Sequence, residues 1–178
     1  DYRMILLVVD PGPTQSAYLL YDAAAPHTYP LVASEYAIVD NSVLRDRLVC
    51  SLMLCVASML VVESIESYGM PVGREVFETV FWTGRFVEAW GGSFHLLPRR
   101  EVKLHLCHSS KATDATIRQA LIDQFGGKDR AIGHKKMPGP LYKVKKDLWS
   151  CLALGVTYVA HAKQETCAQC GWEGAKEA

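Results

Sequence analysis

The chain has 178 residues, 49% of them hydrophobic, and its 19 basic and 19 acidic side chains give a formal net charge of zero. That composition excludes a disordered chain and is sufficient for one domain with a full core. No run of about 18 apolar residues offers a membrane-spanning helix, and a neutral sum argues against a protein that coats nucleic acid indiscriminately. The first residues lack the basic, apolar and small-residue succession of a signal peptide, so a cytoplasmic protein is expected.

Met4 to Val9 is a short apolar run that fits a strand covered on both faces, and it ends in Asp10. Asp10-Pro11-Gly12-Pro13-Thr14 then makes a tight turn, because proline fixes φ and glycine supplies unusual conformations. Strands follow at Ser16 to Tyr21 and Leu31 to Val39, joined by a loop from Ala23 to Pro30. Asp40-Asn41-Ser42 is an N-cap cluster, and Leu44, Leu48, Leu52 and Val56 recur at helical spacing, predicting a helix from Val43 to about Ala57. Met59 to Glu63 is a second apolar run ending in an acid, and Ser67 to Gly73 is a loop.

Arg74 to Trp90 reads as an amphipathic helix closed by Gly91-Gly92, and Ser93 to Leu97 as a fifth strand. Arg99 to Lys103 opens a basic segment. Thr113 to Phe125 is a further helix, Lys128 to Lys143 a loop, and about Lys145 to Ala162 the last helix. The first eight elements run β-β-β-α-β-α-β-α and the last helix follows them, in one domain over residues 1–163 with a loose tail over 164–178.

Charge is unevenly spread. Residues 1–80 hold ten acids and four bases, whereas residues 81–178 hold nine acids and fifteen bases. Between Lys128 and Lys146 seven bases face one acid, Asp129, which points to an anionic partner for one face. Cys50, Cys55, Cys107 and Cys151 lie in apolar segments and read as core thiols of a reducing compartment. Cys167 and Cys170 form a single CxxC; a structural zinc site normally needs four ligands, and even with His161 the set is incomplete.

If the two acid-terminated runs are parallel neighbours, Asp10 and Glu63 emerge side by side at the carboxyl edge, where open α/β sheets bind ligands. Adjacent carboxylates repel unless a cation lies between them, and a hard divalent ion is the usual solution. Asp147, in the first turn expected for the last helix, offers a third carboxylate, with Ser150 and Cys151 on the same face. Three carboxylates converging on such an edge fit metal-assisted phosphodiester chemistry.

Val9-Asp10-Pro11-Gly12, Val61-Val62-Glu63-Ser64 and Lys146-Asp147-Leu148-Trp149-Ser150-Cys151-Leu152-Ala153 resemble the three active-site segments of RuvC-type Holliday junction resolvases. Gly69 to Thr79 (GMPVGREVFET) is similar to the phage-associated branch. The resemblance implies a ribonuclease H-like α/β fold, with a mixed five-stranded sheet flanked by helices. It further implies a homodimeric endonuclease of four-way and other branched DNA, using two Mg²⁺ or Mn²⁺ ions in a bacterial or phage-infected cytoplasm. By position, Asp10, Glu63 and Asp147 would be catalytic metal ligands. The family has a second helix acid where Ser150 stands here, leaving a water, Ser150 itself, Asp114 or Glu66 for the fourth place. Lys111 would stand near the scissile phosphate, while Lys135, Lys136, Lys143, Lys145 and Lys146 would hold the DNA backbone. Tyr68 is a candidate for stacking on an unpaired base, and Phe77, Phe81 and Trp82 for core or dimer interface.

Two other readings compete. A branched-DNA-binding protein that has lost its chemistry would account for Ser150. An actin-like ATPase or sugar kinase shares the Asp10-Pro11-Gly12 turn, but no second glycine-rich phosphate segment follows.

Overall fold

Leu6, Leu7, Val8 and Val9 have no exposed surface, because their strand has neighbours on both sides and helices on both faces. The computed structural model describes residues 4–24, 31–49, 56–67 and 69–169. In it, β1 (Ile5–Asp10), β2 (Gln15–Asp22) and β3 (Leu31–Asp40) form an antiparallel meander. β4 (Met59–Ser64) adds to the other edge of β1 in parallel, and β5 (Phe94–Pro98) adds in parallel to β4, giving the order β3-β2-β1-β4-β5.

Side chains alternate between the faces of a strand, and the two cores follow that parity. Leu7, Val9, Leu60 and Val62 pack with Leu44 and Leu48 of α1 (Asn41–Val49) and with Phe86 and Trp90 of α2 (Arg74–Trp90). Leu6, Val8 and Val61 pack on the opposite face against α6 (Leu148–Gln169), which supplies Leu152, Val156 and Val159. Each fully buried Leu or Val contributes about 1.5–3 kcal/mol of burial free energy. α6 crosses close to the sheet at Gly155, where an added Cβ would lie 3.0 Å from the Tyr21 ring. That close approach fixes the height of the helix above the strands.

α3 (Arg99–Cys107) and α4 (Asp114–Gln124) complete the α6 layer. A four-residue helix, α5 (Lys128–Ala131), leads into a two-stranded hairpin of β6 (Gly133–His134) and β7 (Met137–Pro138).

The predicted five-stranded mixed sheet and the parallel pairing of the two acid-terminated strands hold, and α2 has the predicted bounds. Four readings need correction. The helix after β3 is described to Val49 and Ala57 is not helical; residues 50–55, with Cys50 and Cys55, lie outside the described residues. The basic segment after β5 is α3, whose clustered charges left only Val102 as a buried apolar residue. The stretch Lys128 to Lys143 is not a loop throughout, since it holds α5 and the hairpin. The last helix begins at Leu148, because Lys146 takes a left-handed φ of 47° that a helix does not pass through, and it continues to Gln169. Cys151 is buried and Cys107 half-buried; the Cys167 side chain and Cys170 lie outside the described residues. Among the described residues no helix is long and apolar enough to cross a membrane.

Candidate active site

Val9 pairs with Val62 in the parallel register of β1 and β4, so the next step along both strands sets Asp10 beside Glu63. Parity directs both carboxylates to the α6 face: Asp10 follows Leu6 and Val8, and Glu63 follows Val61. The turn after Asp10 is built around Gly12, where a Cβ would stand 2.4 Å from the Gln15 carbonyl oxygen. Buried Asn41 ties this turn down. Its Nδ2 donates to the Gly12 carbonyl at 2.9 Å, and its Oδ1 accepts from Ser16 Oγ at 2.6 Å. Ser16 Oγ in turn accepts from the Gly12 N–H at 3.2 Å.

Above the pair, α6 places the Ser150 hydroxyl in hydrogen-bonding contact with Asp10 and buries the Cys151 thiol against the Asp10 backbone. Asp147 caps this helix, its carbonyl accepting the first helical hydrogen bond from the Cys151 N–H at 3.1 Å. Its exposed side chain lines the cleft that Ser150 also lines. Arg99 enters from the end of β5. Its Nη1 lies 3.1 and 3.4 Å from the two Glu63 oxygens and 3.5 Å from Ser150 Oγ, while its Nη2 donates to Asp114.

Burial, then the charge of Glu63, pushes the Asp10 carboxyl up to about 8; Arg99 and the Ser150 hydrogen bond pull the other way. Burial also raises Glu63, with Arg99 opposing through both its charge and its hydrogen bonds. Burial weakens the Arg99 cation, but Glu63 and Asp114 outweigh it and the guanidinium holds its proton more firmly than usual. The centre is thus two desolvated carboxylates sharing one fixed cation.

Arg99 stands between two clefts. One, of about 660 Å³, is lined by Glu63, Glu66, Arg100 and Lys103. The other, of about 490 Å³, is lined by Asp114, Arg118, Lys145, Lys146, Asp147 and Ser150. Of the residues singled out from sequence, Asp10, Glu63 and Ser150 come together directly, and Arg99 draws Asp114 to them. Glu66, Lys145 and Lys146 line the clefts. Lys111 is exposed in the turn before α4, next to Ser110 of the first cleft. Lys135 and Lys136 are exposed at the tip of the β6–β7 hairpin, and Lys143 is exposed in the turn leading to α6. Tyr68 lies outside the described residues. Phe77 and Phe81 are 65% and 62% exposed, so they are not core, while Trp82 packs on Phe86.

Neither the placement of Arg99 nor the use of Asn41 as the anchor of the turn after Asp10 was directly visible in the sequence. A signal for Arg99 was available: the residue following a third parallel strand must also reach the carboxyl edge, as the register of Glu63 with Leu97 and Ser64 with Pro98 shows.

Among the described residues no group of three or more His, Cys, Asp or Glu converges closely enough to hold a metal ion as it stands. The donor chemistry nevertheless fits one. Asp10 and Glu63 are paired hard oxygen donors whose mutual repulsion a divalent cation would relieve, and Asp147 stands on the adjoining cleft wall.

A five-stranded mixed sheet in this order, with helices on both faces, defines the ribonuclease H-like α/β fold of RuvC-type resolvases. Thermus thermophilus RuvC is similar, with a TM-score of 0.63 and 15% identity, covering 92% of this chain and 98% of that one. T. thermophilus RuvC in complex with a Holliday junction substrate gives 0.60 at 16% identity, over 92% and 97% of the two chains. A Fowlpox virus resolvase complexed with Holliday junction DNA gives 0.42 at 14% identity, over 89% and 99%. For the two RuvC structures the likeness is one of fold. No protein-family model matches the sequence, and no curated protein matches it.

Proposed function

We propose that this chain is a metal-dependent, structure-selective DNA endonuclease that resolves four-way junctions, and that it acts as a homodimer in the cytoplasm. The observation that carries the reading is the Asp10–Glu63 pair at the carboxyl edge of parallel strands, on the face crossed by α6 and bordered by basic clefts. The fold shared with RuvC, a protein also seen with a Holliday junction substrate, supports it.

A divalent ion such as Mg²⁺ or Mn²⁺, held by Asp10 and Glu63 with Asp147, would supply an activated water and stabilise charge on the phosphodiester, leaving a 5′ phosphate and a 3′ hydroxyl. The chain's own residues do the rest. Arg118, Lys145 and Lys146 offer cations to the backbone phosphates in the second cleft, and Arg100 and Lys103 do so in the first. Exposed Lys135, Lys136, Lys143 and Lys111 would offer further cations to the DNA backbone. The Ser16–Asn41–Gly12 clamp holds the turn that aims Asp10. Exposed Phe77 and Phe81 on α2 offer an apolar face for a second copy of the chain, and two copies related by a twofold axis would present two sites to a twofold junction.

Nicking of a synthetic four-way junction beside a linear duplex of the same sequence, with Mg²⁺, Mn²⁺ or EDTA, tests the proposal. Metal-dependent cleavage confined to the junction is expected; equal cleavage of both would sink junction selectivity. A second reading, a branched-DNA-binding protein without chemistry, draws on Ser150 and on the guanidinium seated on Glu63. It predicts tight junction binding with no nicking under any metal.

A further inference from the structure

Arg99 is a strange neighbour for a centre that must receive cations. Its guanidinium contacts Glu63 through both carboxylate oxygens, reaches the Ser150 hydroxyl, and holds Asp114 on its far side. It also separates the two clefts that flank the acidic pair. The side chain is 30% exposed and Glu63 is 11% exposed, so the contact is partly desolvated and not a screened surface pair.

We propose that Arg99 is a permanent occupant of the second cation place, so that the site takes up one divalent ion, on the Asp10 side of Glu63, instead of two. The inference rests on the metal-dependent reading above and specifies its stoichiometry. Charge balance favours it. Asp10, Glu63 and Asp147 carry three negative charges when ionised; one divalent ion and one guanidinium supply three positive ones. Two divalent ions beside the same guanidinium would supply five. Asp114 adds a fourth negative charge, but its side chain is 82% exposed and its field is screened by water. Geometry agrees with this count. The space bounded by Glu63, Ser150 and Asp114 is where a second ion would find oxygen donors, and the Arg99 nitrogens already satisfy those atoms. A guanidinium stays charged at any working pH, so the positive charge it sets between Glu63 and Asp114 is permanent.

The test is a count of bound Mn²⁺ on the full metal-free chain without DNA, by calorimetric titration and by the spectroscopic signal of free Mn²⁺. Circular dichroism checks the fold of each variant. Wild type should bind one ion. Arg99→Gln frees Glu63 and Asp114 to share a second and should bind two, while Arg99→Lys keeps a cation in place and should bind one. Two ions on wild type would overturn the inference and leave the metal-dependent reading intact. One ion on a folded Arg99→Gln would likewise overturn it. No ion on wild type would overturn both. If Arg99→Gln fails to fold, the wild-type and Arg99→Lys counts decide: one ion on each supports the inference, and two on either overturns it.

Discussion

The Arg99 Nη1 lies 3.1 Å from one oxygen of Glu63 and 3.4 Å from the other. This contact bridges the end of β5 to the end of β4 and places a positive charge next to buried Glu63 and half-buried Asp10. Removing the arginine leaves Glu63, 11% exposed, without that compensation. Arg99→Ala is expected to cost about 1–3 kcal/mol in the metal-free protein, the usual penalty for orphaning a buried hydrogen-bonding group. Added Mn²⁺ should recover much of the loss. Urea denaturation with and without metal checks this, and an unchanged midpoint in Arg99→Ala would show that the contact carries no stability.

Asp10 gives the pH dependence its sign. The folded carboxyl is pushed up to about 8 from 3.8, chiefly by burial and then by Glu63. The folded state therefore holds the extra proton between roughly pH 4 and pH 8, and stability of the metal-free protein falls as pH rises through that window. Asp10→Asn removes the titration. It should flatten the profile, melt higher than wild type at pH 8, and abolish nicking. Thermal melts across the window check the sign, and wild-type stability that climbs toward pH 8 would contradict it. Metal binding near pH 7 should release about one proton, because the ion takes the ionised carboxylate.

Asp147 projects from the cap of α6 into the second cleft, exposed and unencumbered by packing. Asp147→Asn is expected to leave stability within about 0.5 kcal/mol of wild type, as for most surface substitutions. Cleavage should fall by about a hundredfold or more, with junction affinity kept or improved as a negative charge is lost. Single-turnover nicking and gel-shift binding separate the two effects, and an active variant would remove Asp147 from the metal site.

Asn41 and Ser16 couple the start of α1 to the turn behind Asp10 through bonds of 2.6 and 2.9 Å. Asn41→Ala leaves the Gly12 carbonyl and the Ser16 hydroxyl short of a partner and should cost about 1–3 kcal/mol. Cleavage should drop more than binding, because the change displaces a carboxylate and no phosphate contact. A folded Asn41→Ala with wild-type cleavage would show that the turn holds itself.

Lys145 and Lys146 border the same cleft as Asp147. Each lysine replaced by alanine should weaken binding of junction and duplex alike and lower the log–log salt slope by about one. Loss of junction preference alone would mean that they read shape.

Much of this centre was legible in the chain. Two apolar runs ending in Asp10 and Glu63 define strands by length and composition, and the parity of those runs sends both acids to one face. The Arg74–Trp90 helix was equally plain, since its apolar spacing is regular and Gly91-Gly92 closes it. Arg99 was hidden for a physical reason: its role depends on the register of β5 against β4, a contact between residues 36 positions apart. α3 was hidden because its charged residues interrupt the apolar period. Asn41 shows a different failure, in which a residue of cap-forming type spends its side chain on a distant turn. Lys146 misled by its conformation: only its left-handed backbone moves the helix start to Leu148.

A comparison of wild type, Asp10→Asn and Glu63→Gln on one four-way junction decides whether Asp10 and Glu63 form a metal-dependent hydrolytic centre for branched DNA. Wild type with Mg²⁺ or Mn²⁺ should introduce paired, ligatable nicks, and EDTA or either substitution should abolish them while junction binding persists. Nicking that survives EDTA, or that survives the loss of either carboxylate, would show that the Asp10–Glu63 pair is not a metal-dependent hydrolytic centre.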